Sequence, residues 1–212
     1  MDNFRYERKW IYNTDFLSLL MTCSKSKFIF LKNFPKRTVN SIYFDDHNKN
    51  AVQSNLSGLR NRKKVRFRWY GNKNIIDKIF LEQKIKYNSV GKKIINEIKV
   101  NLNTKSKSFL LELKKICNLN SLYNLYPTAY VKYERHYLIS KKNPSIRCTI
   151  DNNVKYFQIL NKEYIEMKKI NQNELILEIK YPINLHDEVK MCMNFPISRL
   201  QKNSKYVRCF FG

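Results

Sequence analysis

Glycine is nearly missing from this chain, with four residues in 212. None of the four falls in a G-x-G-x-x-G or Walker arrangement, so phosphate cradles built from glycine-rich backbone are excluded. The same scarcity leaves no flexible linker, and a single domain over residues 1–212 is expected. The five cysteines (Cys23, Cys117, Cys148, Cys192 and Cys209) show no C-x-x-C spacing. Their odd number argues against a disulfide framework and fits a reducing compartment. No apolar run is long enough to span a membrane, and Met1-Asp2-Asn3-Phe4-Arg5 leads directly into charge. A soluble, cytoplasmic protein without a leader is therefore expected. No Ser/His/Asp order is visible, and His47, His136 and His186 have no metal-ligand spacing; each reads as loop, strand surface or helix surface.

Acidic residues are scarce as well: 17 Asp and Glu stand against 41 Lys and Arg, a net charge of +24. That excess points to an anionic partner, whether nucleic acid, a phosphate-rich small molecule or an anionic membrane surface. Part of it is plain solvated surface, because lysine, asparagine and isoleucine are abundant throughout. Arginine discriminates better, since its planar fork suits phosphate oxygens. Arg60, Arg62, Arg66, Arg68, Arg135 and Arg147 all lie in or beside strand-like segments.

Within those segments the charges recur at every second position. Arg66 and Arg68 share one face of a strand, as do Glu82 and Lys84, and the pattern returns at Arg5/Glu7/Lys9, Lys132/Glu134 or Tyr133/Arg135, and Glu178/Lys180. Strands are expected at Phe4–Tyr12, Val39–Phe44, Val65–Tyr70, Ile79–Lys86, Thr128–Ser140, Ile146–Ile150 and Leu175–Tyr181. Gly71-Asn72 is a hairpin signal that returns the third of these antiparallel into the fourth. Helices are expected after a cap at Asn13 or Thr14, over Asn50–Leu59, over Ser106–Cys117 with Thr104 or Ser106 as cap, and over Asn184–Met193. The tail from Ser198 to Arg208 reads as basic and weakly structured. The fold class is α+β, mainly antiparallel β: a closed barrel or strongly curved sheet of about eight strands with short flanking helices. Strand after strand has one ionic face, so either those faces are in water or the barrel is a wet tunnel.

Eight segments, in order, resemble the VTC domain, the polyphosphate polymerase branch of the triphosphate tunnel metalloenzymes. They are Arg5-Tyr6-Glu7-Arg8-Lys9, Ser41-Ile42-Tyr43-Phe44-Asp45, Lys64 to Gly71, Phe80-Leu81-Glu82-Gln83-Lys84, Tyr133-Glu134-Arg135, Arg147 to Asp151, Leu177 to Lys180, and Ser204-Lys205-Tyr206. The resemblance implies an antiparallel β-tunnel with a basic interior that binds triphosphate or polyphosphate. It implies a divalent metal, manganese or magnesium, and transfer of the terminal phosphoryl group of a nucleoside triphosphate to a growing polyphosphate. By matched position it assigns Arg66, Arg68, Lys84, Arg135 and Lys205 as catalytic. Lys9, Tyr133, Lys180, Lys202 and Ser204 are assigned to substrate, and Glu178, Glu7 and Glu82 to metal. Glu82 pairing with Lys84 or an arginine is an equal alternative to its touching metal, and Asp151 is read as a strand terminator or an ion-pair partner of Arg147.

One departure bears on the reaction. Hydrolytic relatives carry E-x-E-x-K on the first strand, and here Arg5 stands at the first of those glutamates. Loss of that carboxylate removes a ligand for a second metal and a group to position attacking water, which favours transfer over hydrolysis. Two alternatives stay open: an inorganic triphosphatase of the same fold, and a non-enzymatic polyanion or nucleic-acid binder. Carboxylates among the arginines repel a nucleic-acid backbone, so no stable nucleic-acid complex is expected. Product export and regulation are expected to fall to partners, including a membrane partner.

Overall fold

A computed structural model describes residues 5–87, 90–167, 174–192 and 203–211. The elements in chain order are β1 (Arg5–Asn13), α1 (Phe16–Lys25), β2 (Phe30–Asp45), α2 (Asn50–Leu56), β3 (Arg62–Tyr70), β4 (Ile75–Tyr87), β5 (Val90–Asn103) and α3 (Phe109–Leu119). There follow β6 (Tyr126–Ser140), β7 (Arg147–Leu160), β8 (Glu163–Glu166), β9 (Glu174–Pro182), a 3-10 turn (Ile183–Leu185), α4 (His186–Cys192) and α5 (Lys205–Phe211). The strands hydrogen-bond in the order β1-β9-β7-β6-β2-β3-β4-β5, with β8 on β7. Among the described residues this path has two ends, β1 and β5, and no pairing joins them. The fold is thus mostly antiparallel β with short helices, as expected, while closure of the sheet by hydrogen bonds is not seen.

The chain divides into two compact units. The first comprises Met1–Arg37, Tyr133–Val154 and Ile170–Asn203. Its core forms because β1 and β9 alternate: Trp10 and Tyr12 on one strand, and Leu175, Leu177, Ile179 and Tyr181 on the other, bury together with Leu19 and Cys23 of α1. Each such side chain contributes about 2 kcal/mol through removal from water. Alternation then leaves Lys9, Glu178 and Lys180 on the opposite face, with Lys9 registered against Glu178 and Glu7 against Lys180. Asp15 caps α1 by accepting from the Ser18 amide at 2.9 Å, in place of the expected Asn13 or Thr14, which lie two and one residues before it.

The second unit comprises Thr38–Lys132, Lys155–Lys169 and Ser204–Gly212. Val65, Phe67 and Trp69 of β3 pack with Ile42 and Phe44 of β2, Ile79 and Leu81 of β4, and Phe109, Leu110 and Leu113 of α3. The intervening residues Arg66, Arg68, Tyr43 and Glu82 form the other face, and β3 pairs with β4 so that Arg66 stands opposite Glu82. The turn after β3 places Gly71 at φ +89°, a conformation glycine reaches without strain, as its hairpin signal implied.

The expected weakly structured tail begins at Ser198; residues 198–202 lie outside the described residues, and the part that follows departs from expectation. Residues 205–211 form α5, seated by buried Tyr206 and Cys209. The Tyr206 hydroxyl donates to Asp45 Oδ2 at 2.7 Å, and its ring stacks on Tyr43 with centroids 4.8 Å apart. Asp45 in turn accepts from the Ala51 and Val52 amides at the start of α2, so one buried carboxylate ties two helices to β2.

Candidate functional site

In the second unit, two adjacent arginines on one face of β3 are organised by one carboxylate from β4. Arg66 donates from Nε to Glu82 Oε2 at 2.6 Å, with Nη2 2.5 Å from the same oxygen. Arg68 Nη1 lies 3.5 Å and Lys93 Nζ 2.9 Å from Glu82 Oε1. Burial alone would raise the Glu82 carboxyl, since it is 4% exposed; the charges of Arg66, Arg68 and Lys93 reverse that and hold it at about 2. Lys93 of β5 joins Arg66 and Arg68 on this carboxylate. Of the partners expected for Glu82, the arginines are in place; Lys84 is exposed and registered between Lys64 and Lys93.

Further groups fix this cationic set. The Tyr43 hydroxyl accepts from Arg66 Nη1 at 3.0 Å, and Ser41 Oγ lies 3.4 Å from Arg68 Nε. Lys64 donates to Asn55 Oδ1 at 2.7 Å and reaches Ser204 Oγ at 2.9 Å. That contact brings the residue before α5 to β3, and Lys205, half-buried, opens the helix. Lys202, also expected at substrate, lies outside the described residues. Sequence reasoning missed Tyr43, Lys64 and Asn55 as partners. The signal for Tyr43 was available in principle, because it pairs in register with Arg66.

The first unit carries a second set. Lys9 Nζ lies 2.7 Å from Glu7 Oε1 and 3.2 Å from Glu178 Oε2, while Lys180 Nζ lies 2.5 Å from Glu178 Oε1. Burial would raise Glu178; Lys9, Lys180 and Arg135 together hold it well below the usual carboxylate range. Burial likewise opposes the charge on Lys9, and Glu178 and Glu7 overcome it to raise that amine.

Arg135 grips Asp151 with its fork, Nε to Oδ1 at 2.6 Å and Nη2 to Oδ2 at 2.8 Å, and its guanidinium lies 5.2 Å from the Tyr133 ring centre. Asp151 is therefore neither a strand terminator nor the partner of Arg147: it is fully buried inside β7, and Arg147 is exposed. Thr149 stands opposite Glu178 in register, and its buried hydroxyl has no hydrogen-bond partner among the described residues. It is a donor that the sequence did not reveal. The three histidines pack on aromatic rings: His47 on Tyr126, His136 on Phe16 and His186 on Tyr6, with centroids 4.2, 4.2 and 4.3 Å apart.

Among the described residues no three His, Cys, Asp or Glu side chains gather as a metal cage. A hard divalent cation that binds phosphate needs only one or two carboxylates, the other ligands being phosphate oxygens and water. Glu7 and Glu178, both on Lys9, fit that requirement. Glu82 also offers a carboxylate, and like Glu178 it has both oxygens engaged by cations.

A family model described as the VTC domain matches residues 4–210. Among solved structures, the PH1819 protein of Pyrococcus horikoshii OT3 is similar in fold, with TM-score 0.56 and 13% identity over 97% of each chain. A protein from Vibrio parahaemolyticus described as a candidate adenylate cyclase matches 90% of this chain and 84% of its own, at 11% identity and TM-score 0.49. No curated protein matches.

Proposed function

The chain belongs to the VTC domain family, and from that membership together with the paired arginines of β3 we propose that it is a polyphosphate polymerase-like phosphotransferase. The substrate is a nucleoside triphosphate, the acceptor a growing polyphosphate, and the antiparallel sheet the wall of a tunnel around them. The observation that supports this most directly is Arg66 beside Arg68, both pinned by Glu82, because two prealigned guanidinium groups match the oxygens of a transferred phosphoryl group.

Phosphoryl transfer asks little covalent chemistry of a protein; alignment and charge neutralisation supply the rate. In the second unit Arg66 and Arg68 clamp phosphate oxygens and Lys84, Lys205 and Ser204 extend that contact; in the first unit Arg135 with Tyr133, Lys9 and Lys180 offer cationic and hydroxyl groups of the same chemistry. A phosphate acceptor is already an oxyanion near neutral pH, so no residue is assigned as general base. The family implies a divalent metal, which would supply neutralisation of phosphate charge; Glu178 and Glu7 are the residues that would hold it. Arg5 at the position of a hydrolase glutamate favours transfer over attack by water. No described helix is long and apolar enough to cross a membrane. A cytoplasmic location, with a membrane partner for export, completes the proposal.

The test is incubation of purified protein with ATP and manganese, with products resolved by gel and phosphorus NMR. Long-chain polyphosphate with ADP is the expected result. Orthophosphate alone would instead identify a triphosphate hydrolase, and polyanion binding that persists without divalent metal and without turnover would identify a binding protein.

A further inference from the structure

A cavity of about 240 Å³ opens in the second unit beneath the turn between β3 and β4. Trp69 contributes to it, and Trp69 points to the opposite face of β3 from Arg66 and Arg68, so this cavity is separate from the cationic set. Its walls are aromatic. Tyr130 lies parallel to Trp69, 3° between planes, and within 26° of Phe157, while Tyr164 meets Tyr130 edge-on. The floor is polar and built: Asn40, 3% exposed, accepts from the Tyr130 hydroxyl at 2.8 Å and donates to the Gly71 carbonyl at 2.8 Å. An amide carries two N–H groups and two carbonyl lone pairs, so Asn40 keeps capacity for a ligand.

The rim decides the charge of the occupant. Lys73, Lys105 and Lys132 line it, and no lining residue carries a carboxylate. An aromatic box with acidic neighbours would suit a cation; with three ammonium groups it repels one. The size is below the roughly 300–1,000 Å³ of most small-molecule sites, which suits one flat ring system.

We propose that this cavity binds a flat aromatic anion, its ring against Tyr164 and the open edge of the Trp69–Tyr130–Phe157 stack and its charge between Lys73 and Lys105. A nucleobase bearing a phosphate and an aromatic carboxylate share this chemistry. The site stands apart from the phosphotransferase reading and its occupancy is independent of turnover.

Titration calorimetry with AMP and with indole-3-carboxylate tests it, with ribose 5-phosphate (no ring) and adenosine (no charge) as controls. One or both of the first two bind saturably and the controls do not; which one binds identifies the anion. Lys73→Ala/Lys105→Ala, at two exposed positions that leave the fold intact, weakens that binding about tenfold, and Tyr164→Ala weakens it further. Arg66→Ala leaves it unchanged. Absence of binding by both ring anions, equal binding by the lysine double variant, or loss of binding in Arg66→Ala would each overturn the proposal.

Discussion

Arg66→Ala is expected to lower ATP- and manganese-dependent product formation about 10²- to 10³-fold while the protein stays folded. On the proposed phosphotransferase reading, the rate effect follows from removing one of two guanidinium groups that would meet the developing charge on the transferred group. The fold survives because Glu82 keeps Arg68 at 3.5 Å and Lys93 at 2.9 Å, so the buried carboxylate is not left without a cation. Arg66→Lys restores the charge but not the fork that spans Glu82 and Tyr43, and should recover only part of the rate. Initial rates read beside circular dichroism melts decide it. A loss of less than about tenfold at an unchanged melting temperature would remove Arg66 from the catalytic set.

Glu178→Gln should act on stability first. The carboxylate neutralises Lys9, Lys180 and, at longer range, Arg135, and it is 5% exposed. An amide of the same shape leaves those cations facing one another, with Arg135 still held by Asp151 and Lys9 by Glu7. The expected cost is about 3 kcal/mol, or roughly 6–12 °C in melting temperature for a protein of this size.

A pH series separates this electrostatic origin from a packing defect. The folded Glu178 carboxyl lies well below its ordinary 4.5, so its contribution is present above the unfolded value and is lost as pH falls toward the folded one. Glu82, held at about 2, acts in the same direction. Wild-type stability should therefore fall on acidification below about pH 5, and the Glu178→Gln curve should be shallower over that range. Parallel curves in urea unfolding would assign the loss to packing.

Much of this architecture is readable in the chain because alternation survives in it. Val65, Phe67 and Trp69 against Arg66 and Arg68 leave only one arrangement for β3, and Gly71 marks its turn. In other elements that signal is partial or absent. In β5, Ile94 and Ile95 are adjacent among lysines and asparagines, which masks the first half of the strand, although Ile98, Val100 and Leu102 alternate with polar residues and pack on the core. The first half of β2 contains Phe34-Pro35 and is largely exposed, which hides an unbroken strand of 16 residues. In α5 the seven residues are too few to show helical periodicity, and the helix rests on the Tyr206 contact with Asp45.

The site was legible as residue types but not as pairings. Arg66, Arg68, Glu82, Lys9 and Glu178 were singled out from spacing and resemblance, whereas the Arg135–Asp151 and Lys93–Glu82 pairs depend on which strands lie side by side and in what register, which spacing along one strand does not show.

The pairing of β1 with β9 also sets the order in which the molecule can assemble. Trp10 finds Leu177 only across most of the chain, whereas β3, β4 and β5 follow one another and pair with short loops. Closing the long loop costs more entropy before any contact rewards it, so the local meander forms first and the β1–β9 ladder last. Pulse-labelled hydrogen exchange during refolding should protect the amides of Phe67 and Leu81 before those of Trp10 and Leu177; simultaneous protection would contradict that sequence of events. Until the ladder closes, Lys9 has no Glu178, and the cations of the first unit stand without the carboxylate that neutralises them in the folded protein.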